Sequence, residues 1–122
     1  MTILKRHVPM LAASLLLAVP LAAAQTLCGS AHPSVDLSAS NWKFTPSKIE
    51  AHVGEPTTLR LVSAEGVHGI KSEELGIAQT TIVPGKTTEV TFTPKKAGTY
   101  KVHCSIVCGS GHDDMVLTVE VK

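Results

Sequence analysis

Between Cys104 and Met115 the chain sets two thiols, an imidazole and a thioether within twelve residues: Cys104, Cys108, His112 and Met115, spaced C-x3-C-x3-H-x2-M. Thiolate and thioether are soft ligands and imidazole suits copper, so this set favours copper over calcium, magnesium or manganese. Zinc is the rival, but structural zinc sites use Cys and His at C-x2-C-type spacing and have no use for a thioether. Met115 therefore tilts the chemistry to copper. One loop rarely closes a metal site alone, and His68, in Ala64-Glu65-Gly66-Val67-His68-Gly69, is the distant ligand expected. It should stand in a polar loop after a strand ending near Ser63, with Gly66 and Gly69 leaving the backbone free to turn the imidazole inward. His103 should face away from Cys104 if its strand persists that far. His52 has no partner pattern, and His32 lies in an N-terminal arm.

The elements that must hold these residues read as β. Short runs rich in Val, Ile, Thr and Phe cover 34–40, 48–53, 57–63, 77–83, 87–93, 99–103 and 115–121, separated by turn signals such as Gly54-Glu55-Pro56 and Pro84-Gly85. Several alternate with period two: Leu59 and Leu61 oppose Thr58, Arg60 and Val62, and Val90 and Phe92 oppose Glu89 and Thr91. No segment carries an apolar face at helical spacing over three turns. About seven short strands at this spacing predict an antiparallel sandwich of the Greek-key kind, in which the ligand loop joins two neighbouring strands. Trp42 and Phe44 should share one face as core anchors near a strand.

The first 24 residues differ in kind. Lys5-Arg6-His7 precede an apolar run from Val8 to Leu21, closed by Ala22-Ala23-Ala24. That order predicts a secretory signal cleaved after Ala24. An uncleaved anchor is the competing reading, although the run is shorter than the ~20 residues a spanning helix needs. Lipidation at Cys28 is disfavoured by the bulky Leu27 before it. Residues 25–33 read as a flexible arm and 34–122 as the folded domain. Cleavage would leave 98 of the 122 residues, with nine Lys and Arg (eleven less Lys5 and Arg6) against ten acids. That balance excludes a nucleic-acid binder, and the length excludes a large two-domain enzyme. Three cysteines in an exported chain cannot all pair within one molecule, so something besides a disulfide framework must account for at least one.

Cys104-x3-Cys108-Gly109-x2-His112-x2-Met115, together with Val67-His68-Gly69 and Leu75-Gly76-Ile77, resembles the copper-binding domain of cytochrome c oxidase subunit II and its cupredoxin-fold relatives. The likeness extends over about residues 40–122, including Trp42-x-Phe44-x-Pro46, Val83-Pro84-Gly85 and Ala97-Gly98-Thr99-Tyr100. It implies an all-β, cupredoxin-like Greek-key sandwich of seven to eight strands. It further implies a binuclear, mixed-valence copper centre of the CuA type, with two copper ions bridged by the thiolates of Cys104 and Cys108. His68 and Met115 would complete one copper, and His112 and the backbone carbonyl of Ile106 the other.

Two departures stand out. Ile106 occupies the position where subunit II usually has an acidic residue whose carboxylate reaches a magnesium site at the oxidase interface, and the family's membrane helices have no counterpart here unless the signal stays uncleaved. The expectation is an exported, periplasmic or secreted electron carrier without catalysis of its own and without a membrane span after cleavage. Its partner would be a redox protein such as a cytochrome c or a terminal oxidase. Glu73 and Glu74, with Asp113 and Asp114, offer an acidic rim for docking. A copper carrier delivering metal for oxidase assembly is the alternative function. A disulfide between Cys104 and Cys108 in a bare interaction module is a third.

Overall fold

The computed structural model describes residues 31–122. The expected signal, its cleavage point and Cys28 lie outside the described residues. Nine strands follow in order: β1 (Ser34–Ser40), β2 (Lys43–Thr45), β3 (Lys48–Ala51), β4 (Thr57–Ser63), β5 (His68–Ser72), β6 (Ile77–Ile82), β7 (Thr88–Phe92), β8 (Gly98–His103) and β9 (Val116–Val121). A single 3-10 turn, His112–Asp114, precedes β9. Among the described residues no helix is long and apolar enough to cross a membrane.

Alternating side chains make the two layers. In β4, Thr57, Leu59 and Leu61 are buried while Arg60 and Val62 face water; in β9, Leu117, Val119 and Val121 point inward. One sheet has the order β2-β1-β4-β7, the other β3-β9-β8, and the hairpin β5-β6 joins them by lying along β7 on one side and β8 on the other. The fold is thus the Greek-key sandwich expected, with one correction to its pairing. β1 runs parallel to β4 (Leu37 opposite Leu61) and β3 parallel to β9 (Ile49 opposite Val119), so the sandwich is mixed and not purely antiparallel. The chain crosses from one sheet to the other between β2 and β3 and returns with β4 beside β1. Local turn patterns carry no record of such a crossing.

Two strands had no clear signature. β2 has only three residues, and β5 opens with three consecutive buried residues, His68, Gly69 and Ile70, so it never alternates. His68 consequently begins a strand and does not sit in a loop. Ahead of β8, the Tyr100 hydroxyl donates to the Lys96 carbonyl (2.6 Å), pinning the turn that feeds the strand leading to Cys104.

Candidate metal centre

The site grows directly out of the core. Cys104 and Met115 belong to the buried apolar cluster with Leu37, Leu61 and Val102, and Cys108 packs against it. Cys104 lies one residue past β8 and stays tied in. Its amide donates to the Met115 carbonyl (3.0 Å), it bridges to Ile70 of β5, and the next amide, Ser105, donates to the Gly69 carbonyl (3.0 Å). The chain then loops out through Val107, which is 84% exposed, and returns through the 3-10 turn, where the Met115 amide donates to His112 (3.2 Å).

All six expected donors converge. The sulfurs of Cys104 and Cys108 are 3.7 Å apart, far beyond a disulfide bond, and both are free thiols. Cys108 Sγ lies 3.6 Å from His112 Nδ1 and 3.9 Å from Met115 Sδ. The Cys104 thiol donates to the Ile106 carbonyl at 3.2 Å. One ring nitrogen of His68 and the two cysteine sulfurs lie within 4.8 Å of one another, a grouping able to hold a metal ion. His68 and Met115 are fully buried, Cys104 nearly so, whereas Cys108 and His112 are half-buried. The centre is therefore reached from the Cys108 and His112 side.

The state of His68 tests whether a metal fits. Its Nε2 stands 2.6 Å from the Glu65 carbonyl, which can only accept, so Nε2 carries the proton. Nδ1 is left with a lone pair, buried and without a hydrogen-bond partner. A buried acceptor without a donor costs about 1–3 kcal/mol. A metal removes that cost, and a carbonyl on the remote ring nitrogen is how proteins commonly fix a ligating histidine. Burial, and then the hydrogen bond and charge of Cys104, push the Cys108 thiol above the ordinary thiol range. Metal uptake must therefore displace protons and weakens as the solution is acidified.

The remaining candidates are elsewhere. His103 is exposed on β8, on the outer face as expected, and His52 and His32 are exposed as well. Glu73 and Glu74 follow the far end of β5, where Glu73 pairs with Lys71 (3.0 Å) and both line a small cleft with Thr93 and Lys95. Asp113 and Asp114 are exposed in the 3-10 turn beside His112. The four acids thus form two separate pairs, of which only Asp113 and Asp114 adjoin the donors.

Two features were not legible in advance. Trp42 does not share the core with Phe44: Phe44 is 1% exposed but Trp42 39%, because Asn41 and Trp42 form the β1–β2 turn, where strand alternation does not apply. Instead the indole lies over the ligand loop and donates from Nε1 to the Cys108 carbonyl (3.3 Å). Gly69 serves close packing where flexibility had been expected. A methyl there would meet Ser105 Oγ at 2.6 Å and Ile106 Cγ1 at 2.9 Å. Gly69→Ala should cost about 1–3 kcal/mol by overpacking, read as a lower urea midpoint at unchanged slope. A variant as stable as the parent would show that the contact between β5 and the cysteine loop is slack.

Known proteins share this arrangement of strands. The family model for the cupredoxin-like domain matches residues 10–118. The chain belongs to the cupredoxin-like family. This cupredoxin-like domain is similar to cytochrome c oxidase subunit 2 of Thermus thermophilus, with 32% identity over 79 residues, covering 65% of the chain and 58% of that protein. It thus spans little more than half the length of that relative. Among solved structures, the periplasmic domain of subunit II of cytochrome oxidase (CoxB) of Bradyrhizobium japonicum superposes with a TM-score of 0.66 at 16% identity, over 74% of this chain and 83% of that one. A heme-copper terminal oxidase dimer gives 0.65 at 24% identity, over 79% and 69%. These two likenesses establish the fold.

Proposed function

We propose that this cupredoxin-like domain is an exported copper protein that holds a binuclear centre of the CuA type and passes single electrons between redox partners. The observation that carries this reading is the buried, unpartnered Nδ1 of His68 in a ring grouped with two thiols 3.7 Å apart. Cys104 and Cys108 would be shared by both coppers, with His68 and Met115 on one side and His112 and the Ile106 carbonyl on the other. When bound, such a pair supplies a site that accepts and returns one electron with the charge spread over two metals and two sulfurs. The chain's part is to hold the donors still. His68, Cys104 and Met115 are fixed in the core, and this rigidity suits a site that must keep one geometry in both redox states.

Ile106 offers its carbonyl as any residue would, but its side chain packs near Gly69 and brings no carboxylate. This supports a domain that works without the acidic link of subunit II. Residues 1–24 would direct it to the periplasm or the exterior, and a cytochrome c or a terminal oxidase would be its partner.

Electron paramagnetic resonance of the copper-loaded protein tests the centre. Hyperfine structure shared equally by two copper nuclei is expected; splitting from one nucleus overturns it. If acidic groups steer a basic partner, transfer rates fall as salt rises. Asp113→Asn with Asp114→Asn should flatten that dependence more than Glu73→Gln with Glu74→Gln, since only the aspartates adjoin the donors. A salt dependence unchanged in both variants removes the rim. The half-exposed Cys108 and His112 also suit a protein that hands copper on. Release of copper to a chelator upon reduction, with poor electron transfer, would favour that second reading.

A further inference from the structure

The donors sit on two segments far apart in sequence: His68 opens β5 directly after the turn from β4, and Cys108, His112 and Met115 lie on the loop between β8 and β9. One dipeptide touches both. Asn41 and Trp42 link β1 to β2, and because β1 and β4 run parallel in register, with Ala39 opposite Ser63, their turns emerge at the same edge of the sheet. The Ala64 amide donates to the Ala39 carbonyl (2.8 Å), seating the His68 turn beside Asn41.

There the side chains divide. Asn41 lies against Gly66, where a methyl would stand 3.0 Å from Asn41 Oδ1 and 3.3 Å from His68 Nε2. Gly66 has φ +76° and is held by the Ser63 hydroxyl on its carbonyl (2.5 Å), next to the Glu65 carbonyl that fixes the His68 ring. Trp42 turns the other way and covers Gly109 and Gly111. A methyl on Gly111 would fall 2.5 Å from Trp42 Cδ2, and one on Gly109 2.8 Å from Nε1, which itself holds the Cys108 carbonyl.

We infer that Asn41 and Trp42 form a two-sided clamp that sets the His68 turn and the Cys108–His112 loop in their relative position before metal binds. Its purpose rests on the copper reading, but its geometry belongs to the chain alone. Both are positioning residues, and the clamp explains why Gly111, whose backbone needs no left-handed conformation, has to be glycine.

The test uses the full chain in its metal-free form. Trp42→Ala should speed hydrogen exchange of the His112, Asp114 and Met115 amides about tenfold, as expected when a site loses one hydrogen bond and its cover. Asn41→Ala should do the same at Val67 and His68, and both should leave β4 and β9 unchanged. Trp42→Phe, which keeps a ring but not the N–H, should fall between, and it stands in if Trp42→Ala does not fold. Gly111→Ala should loosen the loop in the parent and have little effect beside Trp42→Ala; a merely conformational need for glycine would persist in both backgrounds. Exchange unchanged in the Trp42 variants, or Gly111→Ala equally harmful with and without the indole, overturns the clamp. If exchange responds as stated while the copper-loaded parent shows a single copper nucleus, the clamp stands and the binuclear centre falls.

Discussion

Serine at either Cys104 or Cys108 should abolish the spectrum of an electron shared between two coppers, leaving at most a single copper with its own hyperfine pattern. Each sulfur would bridge, and a hydroxyl is neither soft nor easily ionised, so one remaining thiolate cannot bind both metals alike. The two substitutions should differ in side effects. Cys104 is 4% exposed and sits in the core, so Cys104→Ser also buries a hydroxyl, whereas Cys108 is half-buried at the open side. Met115→Leu supplies the contrast. Met115 is fully buried, and the near-isosteric exchange should cost less than about 1.5 kcal/mol. Both coppers should remain, with a shifted reduction potential, because an axial thioether tunes more than it binds. Copper counting beside paramagnetic resonance reads all three variants. A binuclear signal surviving in either serine variant would remove the thiolate bridge.

Copper should also raise the melting temperature by a wide margin. In the metal-free state the domain bears an unpartnered His68 Nδ1, a buried thiol at Cys104 and a half-buried one at Cys108, and its ligand loop holds only single hydrogen bonds through the 3-10 turn. Free copper 1,000-fold above the dissociation constant adds about 4.1 kcal/mol to a state that alone binds it. For a domain of this size, at roughly 4–8 °C per kcal/mol, that corresponds to about 15 °C or more. Calorimetry with and without copper gives the difference. A melting temperature indifferent to copper would mean that the donors do not close on a metal in the folded state.

The donor set was legible because ligand chemistry is carried by residue type and spacing. Two thiols, an imidazole and a thioether at fixed intervals name a soft metal before any fold is known, and the structure brings His68 to the same place. Strands such as β4 and β9 were legible because one face is buried and one is wet. Where that condition fails the signal fails: β5 is buried on both faces at its start, and β2 is too short to alternate. The parallel pairings depend on where distant segments cross, which no local window records. Trp42 was misplaced for a related reason, since alternation holds along a strand and Trp42 stands in a turn. The repeated glycines at 109 and 111, around a loop otherwise rich in ligands, were the one trace of the ring above them.

The bond from Trp42 to Cys108 joins residues 66 positions apart, and His68 and Cys104 come from β5 and from just past β8, with two further strands between them in sequence. Contacts of such separation close late in folding, after the loop entropy between them has been offset by strand pairing. In the unfolded chain Cys104 and Cys108 are close neighbours, while the histidine that completes their group is a remote stranger. Metal captured at that stage would meet only the local donors Cys104, Cys108, His112 and Met115, without the His68 ring that the folded core holds in place. On the copper reading, the productive order of events is folding first and loading second.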